Sequence, residues 1–194
     1  MPAPDNRPSE FKVAAQAAFP ASVRFAAGLV AADLTPFVDR KYGVDSFALV
    51  VDGQPVSIPT RIHFRSAFVL RPSLPDQARQ IADCLLSRSL DGYSRQSALQ
   101  RIVGLNEAWS VPYVVMLLGE YVVEIIEEIR QALPNIDLAL VRELLDANPR
   151  FHSLLNARSV SYWNCFYRAR FPDYATYPAA VVLRAVETLE QPRS

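Results

Sequence analysis

Nucleophilic chemistry would need an activated thiol, and the only cysteines are Cys84 and Cys165. Cys165 with His152 or His63 is the one Cys-His pair that can be drawn. However, "SYWNCFYRAR" supplies no clear electropositive, partly exposed setting for a thiolate. Both thiols sit in apolar helical patterns and read as reduced, buried, small hydrophobes. Metal ligation is equally thin. The two histidines lie in different regions, and Glu120, Glu124, Glu127 and Glu128 fall on one helix with no Glu-x-x-His partners, so they read as a solvated acidic face. Six scattered glycines offer no phosphate cradle. No catalytic residue, metal site or cofactor is assigned.

The stretch with most to offer is "SVSYWNCFYRARFPDYATYP". Tyr162, Trp163, Phe166, Tyr167, Phe171, Tyr174 and Tyr177 are interleaved there with Arg158, Arg168 and Arg170. Such Tyr, Trp and Arg enrichment is typical of protein interface cores. The candidate partner-binding residues are therefore Tyr162, Arg168, Arg170, Phe171, Tyr174 and Tyr177. Three-four spacing also suits Trp163, Phe166 and Tyr167 for packing inside the fold.

Charge narrows the partners. Twenty basic and twenty acidic residues cancel, which disfavours nucleic acid or an anionic membrane as the main target. All the basic residues except Lys12 and Lys41 are arginine, a bias that codon composition explains without a function. The longest apolar run, Val111 to Ile126, is broken by Glu120 and Glu124 and is too short for a bilayer. "MPAPDNRPSEFK" lacks the layout of a signal peptide, so a cytoplasmic protein is expected.

The elements that must hold these residues can be read from periodicity. At 194 residues, 51% of them apolar, the chain is expected to be a disordered lead over 1–9 and a single helical domain over 10–194. That domain would comprise short helices and a hairpin (10–71), then a helical stack (72–194). Helices are expected over 10–18, 21–33 and 35–42. Next, "SFALVVDGQPVSIPTRIHF" predicts a β-hairpin within 46–63 turning at Asp52-Gly53. "RPSLP" (Arg71 to Pro75) is a hinge. Further helices are expected over 74–90, 93–105, 136–147 with Asn135 as cap, 151–171 and 178–189, and Ser110 is expected to cap another.

That other helix carries the most apolar stripe: Val111, Val114, Val115, Leu118, Val122, Ile125, Ile126, Ile129 and Leu133. One interior glycine costs about 1 kcal/mol. An apolar side chain moved out of the stripe would lose roughly 1.5–3 kcal/mol. The comparison predicts one long central helix over about 111–133.

"LLSRSLDGYSRQSALQRIV" resembles the junction of a HEAT-type (armadillo-type) repeat, in which a short acidic turn joins two stacked helices. Asp91, Arg95, Ala98 and Leu99 stand in the family's positions. The resemblance implies that Asp91 caps the second helix and that Arg95 bridges to an acidic group or carbonyl of the neighbouring repeat. "VPYVVMLLGEYVVEIIEEIRQAL" is a second partial match, with Glu120 in place of the turn Asp. The pattern is also similar to that of bacterial proteins for which the likeness supplies no activity. The expected fold is thus mainly α, an irregular HEAT-like stack with a small N-terminal hairpin. The expected job is non-catalytic binding of another protein, for instance as an adaptor or a bacterial toxin-neutralising protein. Two alternatives stand beside it. One is an enzyme or small-ligand binder using Arg61, His63 or Arg65 between hairpin and helices. The other is a homodimer or larger homo-oligomer formed through the hairpin's edge.

Overall fold

A computed structural model gives the fold over residues 7–39, 41–65 and 73–189. It is mainly helical, with one two-stranded antiparallel hairpin. The chain forms two compact units, Met1–Arg101 and Ile102–Ser194. Residues 1–6 of the expected lead, and Arg71 and Pro72 of the hinge, lie outside the described residues. Residues 7–9 already belong to a helix, because Pro8 stands in its first turn, where a missing N–H costs nothing.

In the first unit, α1 (Arg7–Ala17) packs on α2 (Arg24–Leu34), and α2 packs on α3 (Asp76–Leu86). Phe11, Phe19, Val30, Leu34, Ile81 and Leu85 are fully buried in this unit. The expected helix over 35–42 stops as a single 3-10 turn, Thr35–Phe37. Val38 is extended instead and bridges Phe64, and the Asp39 N–H donates to the His63 carbonyl at 2.6 Å.

Strands β1 (Ser46–Val51) and β2 (Gln54–Pro59) pair in register from Ser46↔Pro59 to Val51↔Gln54. Asp52 and Gly53 have φ of +51° and +68°. Positive φ at both central residues makes the primed two-residue turn that matches strand twist. Leu49, Val51, Val56 and Ile58 share the buried face, and β2 lies against α1.

The hairpin's exit is tied to the turn between α3 and α4 (Gly92–Ile102). The Ile62 N–H donates to the Arg88 carbonyl at 2.8 Å, and the Leu90 N–H donates to the Ile62 carbonyl at 3.0 Å. The buried Arg88 side chain donates to the carbonyls of Pro59 (3.2 Å) and Thr60 (2.8 Å). In the same turn the Asp91 carboxylate accepts from the Ser94 N–H at 2.7 Å, at the start of α4. Arg95, 2% exposed, donates to the carbonyls of Ser89 and Leu90 at 3.0 and 2.8 Å, closing its own turn. The Asp83–Arg101 ion pair at 2.8 Å links α3 and α4 directly.

In the second unit the long helix expected over 111–133 is divided. α5 (Val111–Val115) runs into a 3-10 turn, Met116–Gly119. Glu120 is extended (φ −95°, ψ 163°), as is Val122 (φ −86°, ψ 99°), and α6 (Val123–Gln131) begins afresh. The stripe is nevertheless buried at Val115, Leu118, Ile125, Ile126 and Ile129, because both short helices turn their apolar sides inward. The break sits where α8 (Pro149–Tyr162) passes close by. A Cβ on Gly119 would lie 3.1 Å from Leu155 Cδ1, an approach only glycine leaves comfortable.

Around this break α9 (Pro178–Glu187) packs on α6 and on α7 (Leu138–Ala147). Asp137, not Asn135, caps α7, accepting from the Ala139 and Leu140 N–H groups at 2.9 and 3.3 Å. Asn135 ends a 3-10 turn, and its carbonyl accepts from Asn106 Nδ2 at 2.9 Å. Ser110 does not cap α5; its hydroxyl donates to the Glu107 carbonyl at 2.9 Å.

Asp91→Ala should lower the stability of the chain by about 1 kcal/mol in urea unfolding, as loss of a helix cap does, with Asp91→Asn losing less. The bonds from Ser94 hold the Asp91 carboxyl below its usual pKa. Its stabilisation is therefore fully present above the ordinary aspartate range and lost as pH falls through the depressed native value. The wild type should lose stability relative to Asp91→Asn below about pH 4; parallel pH profiles of the two would refute the cap.

Candidate functional site

The aromatic stretch gathers at the end of α8. There the helix continues as a π-helical turn, Trp163–Tyr167. Such turns insert one extra residue and are frequent at functional sites. The insertion re-aims the side chains that follow. Phe166, which three-four spacing places inside, is 65% exposed, whereas Trp163 and Tyr167 are half-buried.

The rings form one connected network. From the exposed Tyr121 at the α5–α6 break it runs to Tyr162 (6.4 Å between centroids), Phe166 (6.3 Å) and Tyr167 (6.3 Å). Tyr167 stacks on Tyr177 at 5.9 Å, and Tyr177 meets Phe171 at 5.7 Å and Tyr174 at 6.3 Å. Tyr174 completes the run edge-on to Trp163 at 5.3 Å. Offset and edge-to-face pairs of this kind contribute about 0.5–1.5 kcal/mol each beyond burial.

Polar groups fix the network. Trp163 Nε1 donates to the Phe171 carbonyl at 2.7 Å, closing the chain after the π-turn. The Tyr167 hydroxyl donates to the Tyr121 carbonyl, and the hydroxyls of Ser159 and Tyr174 pair at 3.0 Å. The Asp173 carboxylate accepts from the Ala175 N–H at 2.9 Å, capping the 3-10 turn Tyr174–Thr176 that leads into α9.

Of the six candidate partner-binding residues, Arg168 and Arg170 are exposed and Tyr162, Phe171 and Tyr174 half-buried. Tyr177 is fully buried, so it is the network's inner packing residue and presents nothing to a partner. It caps α9 with its backbone, which draws its ring beneath Tyr167 and Phe171. Its hydroxyl has no hydrogen-bond partner among the described residues. Burial above all, and then the neighbouring phenols of Tyr167, Tyr174 and Tyr162, push the Tyr177 pKa up, so the group stays neutral.

Two arginines lie over rings of the network. The Arg168 guanidinium sits 5.3 Å from the Trp163 ring and Arg170 5.3 Å from Phe171. Sequence reasoning missed Tyr121 and the exposure of Phe166. The sequence pattern places Tyr121 inside a continuous helix, whereas beside the break it stands 56% exposed.

The other candidate chemistry does not assemble. His152 Nε2 lies 3.9 Å from Glu187 Oε1, while Cys165 is exposed on the π-turn with no hydrogen bond among the described residues. Cys84 is buried, and burial followed by Asp83 pushes its thiol pKa up. His63 stacks on Tyr42 at 3.9 Å, and Arg61 donates to the Thr60 carbonyl at 2.9 Å. Between the hairpin and α1 lies an open groove of about 540 Å³, lined by Val13, Gln16, Ala17, Arg24, Ala48, Pro55, Val56 and Ser57. Arg61, His63 and Arg65 are not among its lining residues. No group of three or more His, Cys, Asp or Glu gathers as a metal site among the described residues. Nor is any helix there long and apolar enough to cross a membrane. Comparison with family models, curated proteins and solved structures returns no match to this chain.

Tyr177→Phe should leave stability unchanged or raise it by up to about 1 kcal/mol, since it removes a buried hydroxyl that has no bond to lose. Tyr177→Ala should cost roughly 3–5 kcal/mol. A destabilised phenylalanine variant in urea titrations would show that the hydroxyl is bonded. Cys165 should react with Ellman's reagent in the native state and Cys84 only on unfolding; two equally fast thiols would contradict this burial.

Proposed function

We propose that this protein works by binding another protein, without catalysing a reaction, through the aromatic and arginine surface of its second unit. The observation that carries the reading is the ring network that surfaces at Phe166 and Tyr121 and is fringed by Arg168 and Arg170. Exposed aromatics anchored on a rigid element are the parts from which interface hot spots are made. A large apolar side chain left in water is tolerated singly, but a linked set of them marks a contact surface. The hydrogen bonds of Trp163, Tyr167 and Tyr174 pre-order this surface, so less side-chain freedom is lost on association.

A HEAT-like pairing of helices belongs to the same reading. Asp91 starting α4, and the interruption at Glu120 in the place of a turn acid, support it. An adaptor or toxin-neutralising protein is the form such a binding protein would take. A cytoplasmic setting fits the same proposal.

The test is affinity capture of a partner by the wild type and by Phe166→Ala and Arg170→Ala, with circular dichroism and unfolding midpoints matched. Each variant should weaken retention by about tenfold or more, and the Cys165 thiol should react more slowly in the complex than alone. Retention unchanged in both variants would remove this surface from the proposal.

A further inference from the structure

The segment that supplies most of the rings has a charge pattern that narrows the partner. From Ala147 to Pro172 the chain contains no Asp or Glu, but it does contain Arg150, Arg158, Arg168, Arg170 and His152. The preceding part of the same unit is the reverse, with Glu107, Glu120, Glu124, Glu127, Glu128, Asp137, Glu143 and Asp146 against Arg130 and Arg142. Those two arginines are already committed, Arg130 to Glu127 and Arg142 to Asp146 at 3.0 Å.

Arg168 and Arg170 have no carboxylate partner among the described residues; Arg168 donates only to Asn164 Oδ1, at 3.1 Å. Glu127 is bonded to Arg130, with Arg170 adding a weaker favourable field, and Asp173 accepts from the Ala175 N–H. Each guanidinium lies over a ring, Arg168 at 5.3 Å from the Trp163 centroid and Arg170 at 5.3 Å from that of Phe171, and both arginines are exposed. An arginine ordered on an aromatic ring is prepared for bidentate binding of a carboxylate.

We infer that the partner presents an acidic segment bearing an aromatic or aliphatic side chain, which packs on Phe166 and Tyr162 while its carboxylates pair with Arg168 and Arg170. The inference rests on the protein-binding reading above and adds the partner's chemistry to it. Charge complementarity carries it: the exposed rings ask for an apolar knob, and the unpaired arginines ask for carboxylates beside that knob.

The probe is a short fluorescein-labelled peptide of alternating Glu and Asp with one central Phe and one Leu, measured by fluorescence anisotropy against the whole chain. Its Gln/Asn and Lys analogues and a short oligothymidylate serve as comparisons. The acidic peptide should bind most tightly. Its affinity should fall about tenfold in each of Phe166→Ala and Arg168→Ala/Arg170→Ala, and it should weaken as salt is raised. Arg170→Glu should shift preference toward the Lys peptide.

If the neutral peptide binds as well as the acidic one and Phe166→Ala abolishes both, protein binding stands and the acidic partner is overturned. Tighter binding of the oligonucleotide overturns the inference in favour of nucleic acid. Displacement of the peptide by self-association of the chain, seen in sedimentation, overturns it in favour of a second copy. Absence of binding by every peptide overturns the inference, while the protein-binding reading is decided separately by the capture experiment above.

Discussion

The phenol of Tyr167 donates to the main-chain carbonyl of Tyr121, and that bond joins two places where the second unit leaves regular helix. One is the extended passage at Glu120 to Val122, where backbone groups lose their helical partners. The other is the π-turn, where an extra residue widens the helix. Each irregularity alone would be an isolated defect. Tied together, they bring the rings of Tyr121, Tyr162, Phe166 and Tyr167 into one run. Gly119 makes the approach feasible, because Leu155 and Arg158 of α8 come within van der Waals reach of where its side chain would stand.

The first unit solves a different problem with arginine. A two-stranded hairpin is marginal by itself and needs anchoring at its ends and along one face. The buried face is covered on α1, and the exit is fastened by Arg88, whose guanidinium reaches the carbonyls of Pro59 and Thr60. Arg95 performs the parallel task one turn later, satisfying the Ser89 and Leu90 carbonyls left open between α3 and α4. Carbonyls that have lost regular partners need donors when buried, and guanidinium supplies several in a fixed fork. Arg95 bonds carbonyls, as the repeat resemblance implies, but those of its own turn, whereas nothing in the sequence marked Arg88 as structural.

Much of the fold was legible because its signals are local. Asp52-Gly53 specifies the hairpin turn by its positive φ requirement, and β-forming residues on either side of it mark the two strands. The continuity of the 111–133 segment was not legible, and the physical cause is specific. The energetic comparison set one glycine against the loss of buried side chains, which assumed that a break exposes them. Two helices joined by an extended passage bury Leu118, Ile125 and Ile126 as fully as one would, so the hydrophobic period cannot separate the alternatives.

The same limit explains the site. Residue types announced an aromatic and arginine surface, but orientation follows helical phase, and one inserted residue shifts every later side chain by about 100°. Through Leu155 and Ser159 the buried face of α8 keeps its period, and beyond Tyr162 it does not. Phe166 therefore emerges where the sequence pattern buries it, and Tyr177 is buried where residue type suggested exposure. The π-turn thus moves an apolar ring from a position where packing would have absorbed it to one open to solvent. An irregular turn that exposes a large ring gives up burial worth roughly 1.5–3 kcal/mol. Covering the ring would recover that loss, and this is how the irregularity supports the protein-binding proposal.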